Sequence, residues 1–243
     1  MNGRVLDWTP AQASGPAAEG LRERKKRLMR QQLSDSATAM FLERGFDGVR
    51  VAEVAAACGV SEKTVFNYFP VKEALVMDRL EATLAALCAG LADHERTPVQ
   101  AALTVLDQEL RAMTGWLAAQ QDASQVRQAV RRFGDLIRST PALRAYQADM
   151  TDQSASAAAG VLAARAGMTA DDPEPQITAR ALLGLWRVQG DSLRRHLDHA
   201  DTPAQLHELV TADVRRAAWL LDTGLRVFAV PATPTRTAGP GPG

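Results

Sequence analysis

Val51 to Leu75, VAEVAAACGVSEKTVFNYFPVKEAL, is the stretch on which the fold turns. The small Ala55 lets a second helix cross the first closely. Gly59, four residues on, can take the positive φ that ends a helix abruptly. Val60 then plugs the corner, while Val54 and Val65 supply apolar contact from either side. Ser61 suits an N-cap, its hydroxyl accepting from a backbone N–H two or three residues later. The spacing predicts helices over 51–58 and 62–68 with a tight corner between them. That is a helix-turn-helix over residues 50–69, whose second helix fits the DNA major groove.

The second helix carries suitable chemistry. Lys63, Thr64, Asn67 and Tyr68 offer polar tips, Ser61 and the helix start are available to phosphate, and Lys72 follows Pro70 as a further cation. Upstream, residues 22–30 hold six cations (Arg22, Arg24, Lys25, Lys26, Arg27 and Arg30) against the single acid Glu23. All four lysines of the chain lie at positions 25, 26, 63 and 72. A formal net charge of zero thus conceals a basic end, as expected where that end meets a polyanion.

The stretch GFDGVRVAEVAAACGVSEKTVFNYFPVKEAL, Gly45 to Leu75, resembles the DNA-binding domain of the TetR family of bacterial transcriptional regulators. The likeness runs from glycine-aromatic through alanine-x-x-x-glycine-valine-serine to Tyr-Phe-x-x-Lys-Glu-x-Leu and covers about residues 27–87. It implies that Ser61, Glu62, Lys63, Thr64, Asn67 and Tyr68 occupy DNA-facing positions and that Lys72 binds phosphate. Two departures stand out. Phe66 replaces a tyrosine found in many members, which removes a hydroxyl that could reach phosphate. Arg50 replaces a threonine before the helix; it cannot cap as threonine does but could reach phosphate itself.

Outward from this stretch, the 243 residues are 46% hydrophobic and 23% charged, the composition of a globular protein. No apolar run is long enough to span a membrane, and the first residues lack the apolar core of a secretory signal, so a cytoplasmic location is expected. Apolar residues recur at helical spacing. Val99, Leu103, Leu106, Leu110, Met113 and Leu117 form one stripe; Leu80, Leu84, Leu87 and Leu91 another; Leu206 through Leu221 and Leu225 to Phe228 a third. The fold class is all-α. About nine helices are expected, at 22–44, 51–58, 62–68, 71–93, 98–120, 124–138, 141–166, 175–199 and 203–228. The expected organisation is a flexible arm (1–21), a three-helix DNA-binding domain (22–87), a helical ligand-binding and dimerisation domain (88–228) and a disordered Pro/Gly-rich tail (229–243).

In the larger half Met113, Trp116, Phe133, Ile137, Tyr146, Met150 and Trp186 are bulky and adaptable. They are candidates to line a pocket for an apolar small molecule, with Asp149, Arg187 and Gln189 as polar companions, although residue by residue each reads better as core filling. His196, His199, Asp198, Asp201 and His207 read better as a polar helix end than as a metal site. No catalytic motif appears, so no enzyme, metal or cofactor is expected. Helices 175–199 and 203–228 are expected to pack on the same pair of a second chain, with Leu221 and Leu225 on the outer face. The expected function is a homodimeric repressor of a palindromic double-stranded DNA operator, released by a small-molecule effector. The alternative is a helical small-molecule-binding or scaffold protein that has lost operator binding.

Overall fold

The computed structural model describes residues 20–78 and 80–224. The expected arm and tail, and Leu225 and Phe228, lie outside these, apart from the junction at 20–21. Among the described residues the chain forms nine α-helices and no strand: α1 (Leu21–Arg44), α2 (Val51–Ala57), α3 (Glu62–Tyr68), α4 (Leu80–Ala92), α5 (Pro98–Ala118), α6 (Ala123–Ser139), α7 (Pro141–Ala166), α8 (Pro173–His196) and α9 (Pro203–Thr223).

The α2–α3 corner closes as its residues dictate. Gly59 adopts φ 68°, in the left-handed region open to glycine. The Val60 N–H donates back to the Ala55 carbonyl at 3.0 Å and the Gly59 N–H to Ala56 at 3.1 Å, a Schellman-type ending. Ser61 Oγ then accepts from the Thr64 N–H at 3.1 Å and starts α3. Elsewhere Thr97 and Gln100 form a reciprocal capping box on α5, at 2.9 and 3.1 Å. Asp122 and Thr202 cap α6 and α9.

Two helices depart most from their expected bounds, while that expected at 175–199 forms at 173–196. Residues 71–93 are not one helix: Lys72–Leu75 makes a single 3-10 turn and α4 begins at Leu80. The Leu75 carbonyl accepts from Ser34 Oγ on α1 at 2.9 Å, and Asp78 pairs with Arg30. These tertiary partners hold the segment out of a helical ladder, and nothing in its own spacing announces them. At the other end Gly224, at φ 68°, stops α9 at Thr223, where the apolar stripe alone carries on to 228.

The helices enclose two apolar cores. The smaller gathers Leu33, Ala37, Phe41, Phe46, Val49, Val54, Val65, Phe69 and Leu75 from α1 to the 3-10 turn. The larger runs through α4, α5 and α7 to α9, where Leu87, Leu91, Leu106, Leu182 and Leu206 are essentially inaccessible. Leu143, at the start of α7, lies in the smaller core, and Phe133 of α6 packs against both. Two arginines tie helix ends across the larger half. Arg127 donates to the Leu197 and Ala200 carbonyls just beyond α8, and Arg165 to the Leu91, Asp93 and Arg96 carbonyls at and beyond the end of α4. Both satisfy carbonyls that a helix end leaves without partners.

Candidate nucleic-acid interface

Helix α3 is anchored by one side chain and exposed along the rest. Val65, 1% exposed, is its buried residue. Ser61, Glu62, Lys63, Phe66 and Asn67 are exposed, and Thr64 and Tyr68 half-buried. A helix seven residues long with one buried position contributes little core, which leaves its remaining faces for contact with something else. Thr64 Oγ1 lies 2.8 Å from Ser61 Oγ, so the two hydroxyls are held together at the helix start. Phe66 is 44% exposed, a large apolar surface standing in water.

At the start of α2 the missing threonine cap is replaced from inside the helix. The Arg50 N–H donates to Glu53 Oε2 at 2.7 Å, the returning half of a capping box. Arg44 Nη2 holds the other oxygen, Oε1, at 2.7 Å and the Gly48 carbonyl at 2.6 Å. The Arg50 N–H, and then Arg44, keep the Glu53 carboxyl below its ordinary range. Because Arg50 uses only its backbone here, its exposed side chain remains at the surface beside α2.

Two cations expected at the surface turn inward. Lys72 Nζ donates to the Phe46 carbonyl at 2.6 Å and sits 4.2 Å from the Phe46 ring centre and 5.5 Å from that of Phe41. An ammonium carries three donors, so one bond leaves others to spare, but Lys72 also clamps the α1–α2 loop. Arg30 pairs with Asp78, donates to the Tyr68 carbonyl at 3.1 Å and stacks over the Phe69 ring at 4.7 Å. It locks the end of α3 to α1. Neither role was legible in the sequence, because each depends on a ring or carbonyl brought in from elsewhere in the chain.

The seven bulky residues of the larger half do not converge. Ile137 and Tyr146 pack against the smaller core, and Phe133 bridges the two. Met113, 5% exposed, is in the larger core, with Trp116 and Trp186 half-buried against it; Met150 is half-buried on α7. Trp186 Nε1 donates to Glu109 Oε2 at 2.9 Å, and Thr83 Oγ1 bonds the other oxygen, so Glu109 links α4, α5 and α8. Sequence reasoning missed Glu109, an acid in an otherwise amphipathic stripe. Asp149 and Arg187 are exposed.

The histidines are engaged by carboxylates. His196 lies 3.1 Å from Asp213 and His207 3.1 Å from Asp107. Asp213, with 9% of its side chain exposed, also accepts from Ser192 Oγ at 2.7 Å and from Arg216 at 2.6 Å. The Ser192 hydrogen bond leads in holding its carboxyl below the ordinary range. Among the described residues no group of three His, Cys, Asp or Glu is placed to hold a metal, and no helix is long and apolar enough to cross a membrane.

Residues 33–78 match the family model of bacterial regulatory proteins of the tetR family, and residues 103–218 match that of the MftR C-terminal domain. The chain is 31% identical over 167 residues to the HTH-type transcriptional regulator TcmR of Streptomyces glaucescens, covering 68% of this chain and 72% of that protein. It is 29% identical to a Mycobacterium tuberculosis protein described as the mycofactocin biosynthesis transcriptional regulator MftR, covering 67% and 78%. A solved TetR-family regulator from Mesorhizobium loti shares 19% identity, with a TM-score of 0.42 over 83% of this chain and 98% of its own.

Proposed function

Proceeding from the fact that the chain belongs to the tetR family of bacterial regulatory proteins, and so is a DNA-binding transcriptional regulator rather than an enzyme, we propose that it is a cytoplasmic repressor. Its operator is a palindrome read by α3, and a small molecule releases it. The observation that carries the reading is α3 itself, which buries only Val65 and turns Lys63, Phe66 and Asn67 to the outside. Lys63, Thr64, Asn67 and Phe66 are the base-reading candidates, the Phe66 ring suiting a thymine methyl. Ser61, Glu62 and Tyr68 flank them, and Arg50 and Lys72 address phosphate.

Residues 22–87 serve DNA binding, and 88–228 effector binding and dimerisation. The effector site lies in the larger half around Met113, Trp116 and Trp186, the members of the bulky set that belong to or adjoin its core alone. Members of the family typically act as dimers. The interface proposed here is the outer face of α8 and α9. On these helices Ile177 and Trp219 are 66% and 54% exposed, whereas Leu221 packs against its own chain's core. The outer-face position is therefore Trp219, not Leu221.

A gel-shift titration on DNA from around the protein's own gene tests the reading. Saturable binding that outcompetes random DNA, and that a candidate effector reverses, supports it; sequence-blind binding, or none, overturns it. Lys63→Ala and Thr64→Ala should each cost about 1–3 kcal/mol on the operator and less on random DNA. Sedimentation of Trp219→Glu should show monomer where the unaltered protein shows dimer.

A further inference from the structure

The first turns of α1 lie outside the recognition motif and carry charge that the smaller core does not need. Helix α1 begins at Leu21, whereas the segment matching the family model begins at residue 33. The basic run therefore sits on a part of the helix that precedes that segment. The structure sorts this run. Arg30 is half-buried and committed to Asp78, Tyr68 and Phe69, while Arg22, Arg24, Lys25, Lys26 and Arg27 are exposed. Arg22, Lys25 and Lys26, with Leu21 and Met29, form one wall of an open groove of about 820 Å³. The facing wall is Thr64, Asn67 and Tyr68 of α3.

We propose that the N-terminal turns of α1 are a second DNA-contacting surface, on which Arg22, Lys25 and Lys26 grip the phosphate backbone of the duplex whose major groove receives α3. The proposal rests on the reading of α3 given above. Three observations carry it. Arg22, Lys25 and Lys26 stand at i, i+3 and i+4, so they share one face of the helix. That face borders the same groove as the polar tips of α3, so a duplex seated on α3 passes beside it. Arg22 and Lys26 repel one another at i, i+4 spacing, a cost that a polyanion removes. From Arg22 to Lys26 the helix rises about 6 Å. Long, flexible side chains on that span can address neighbouring phosphates, which recur about every 3.4 Å of axis on one strand. Contacts to phosphate carry no base information, so this surface fixes register and adds affinity without choosing sequence.

The test compares operator and random DNA across a salt series for the unaltered protein and for Arg22→Gln/Lys25→Gln/Lys26→Gln. Glutamine keeps helix propensity close to that of lysine and arginine, and circular dichroism checks that α1 persists. The slope of log affinity against log salt should flatten by about 0.9 for each phosphate no longer neutralised, or about 2.7 per protomer. Between 50 and 200 mM salt that is about 40-fold less loss of affinity per protomer. The preference for operator over random DNA should not change. An Arg96→Gln/Arg111→Gln/Arg132→Gln variant, which removes equal charge elsewhere, should keep the original slope. An unchanged slope, equal flattening in that control, or a fallen operator preference would each overturn the proposal. Failure of the unaltered protein to select its operator would overturn the reading of α3 as well, and is distinguished because it precedes any substitution.

Discussion

The smaller core is built mostly from close neighbours: the Phe41 and Phe46 rings meet tilted, 5.1 Å between centres, and Phe69 joins them, all within one short stretch of chain. The larger core joins residues from Leu87 to Ala218, largely leucine, valine and alanine, with its aromatics half-buried at the edge. The first holds a short exposed helix by one valine; the second holds long helices by faces that span many turns. Rigid presentation of a few side chains thus comes from local motifs, while the interior of the larger half is assembled at long range. Leu143 and Phe133 are where the two constructions meet.

That meeting point gives the largest expected effect. Leu143→Ala, emptying a fully buried site, should cost about 2–5 kcal/mol. Hydrogen exchange should speed up in α1 and α2, although the substitution lies in α7. Loss of protection confined to α7–α9 would show that Leu143 belongs energetically to the larger half.

Next is the polar seam of the larger half. Asp213→Asn, which removes the charge facing Ser192, His196, Arg195 and Arg216, should cost about 1–3 kcal/mol at neutral pH. Because folding lowers this carboxyl's pKa, its contribution is full above the unfolded value near 4 and fades as pH falls through the folded one. Urea midpoints of the two proteins should therefore converge on acidification below about pH 4. A gap that is constant with pH would remove the charge from the explanation.

Lys72→Ala sharpens the contrast within the smaller half. Losing the bond to the Phe46 carbonyl and the ring interactions should cost about 1–2 kcal/mol of stability. It should also weaken binding to all DNA sequences about equally. Weakened binding with unchanged stability would make Lys72 purely a phosphate ligand. The smallest effect should come from Ser61→Ala, about 1 kcal/mol from the missing cap on α3, read by thermal melting.

Much of the recognition half was legible because its signals are short-range. Gly59, Val60 and Ser61 specify a corner through their own backbone and hydroxyl chemistry, and the corner formed as expected. The helix starts at 98 and 203 also fell where the sequence placed them, each capped by the threonine before it. Illegible were the break at 72–78, the inward turns of Arg30 and Lys72, and the division of Ile137 and Tyr146 from Met113 and Trp186. A helical period says that a residue faces something apolar. It does not say which of two cores that is.

By itself, then, the sequence determined an all-α chain, the helix-turn-helix and its outward-facing side chains, since periodicity, capping and a positive-φ glycine act within a few residues. Only the tertiary structure decided which cations turn inward and which face water, which aromatics belong to which half, and that Trp219 rather than Leu221 faces out. Those outcomes depend on carboxylates, rings and carbonyls tens of residues away, whose approach is set by the packing of whole helices.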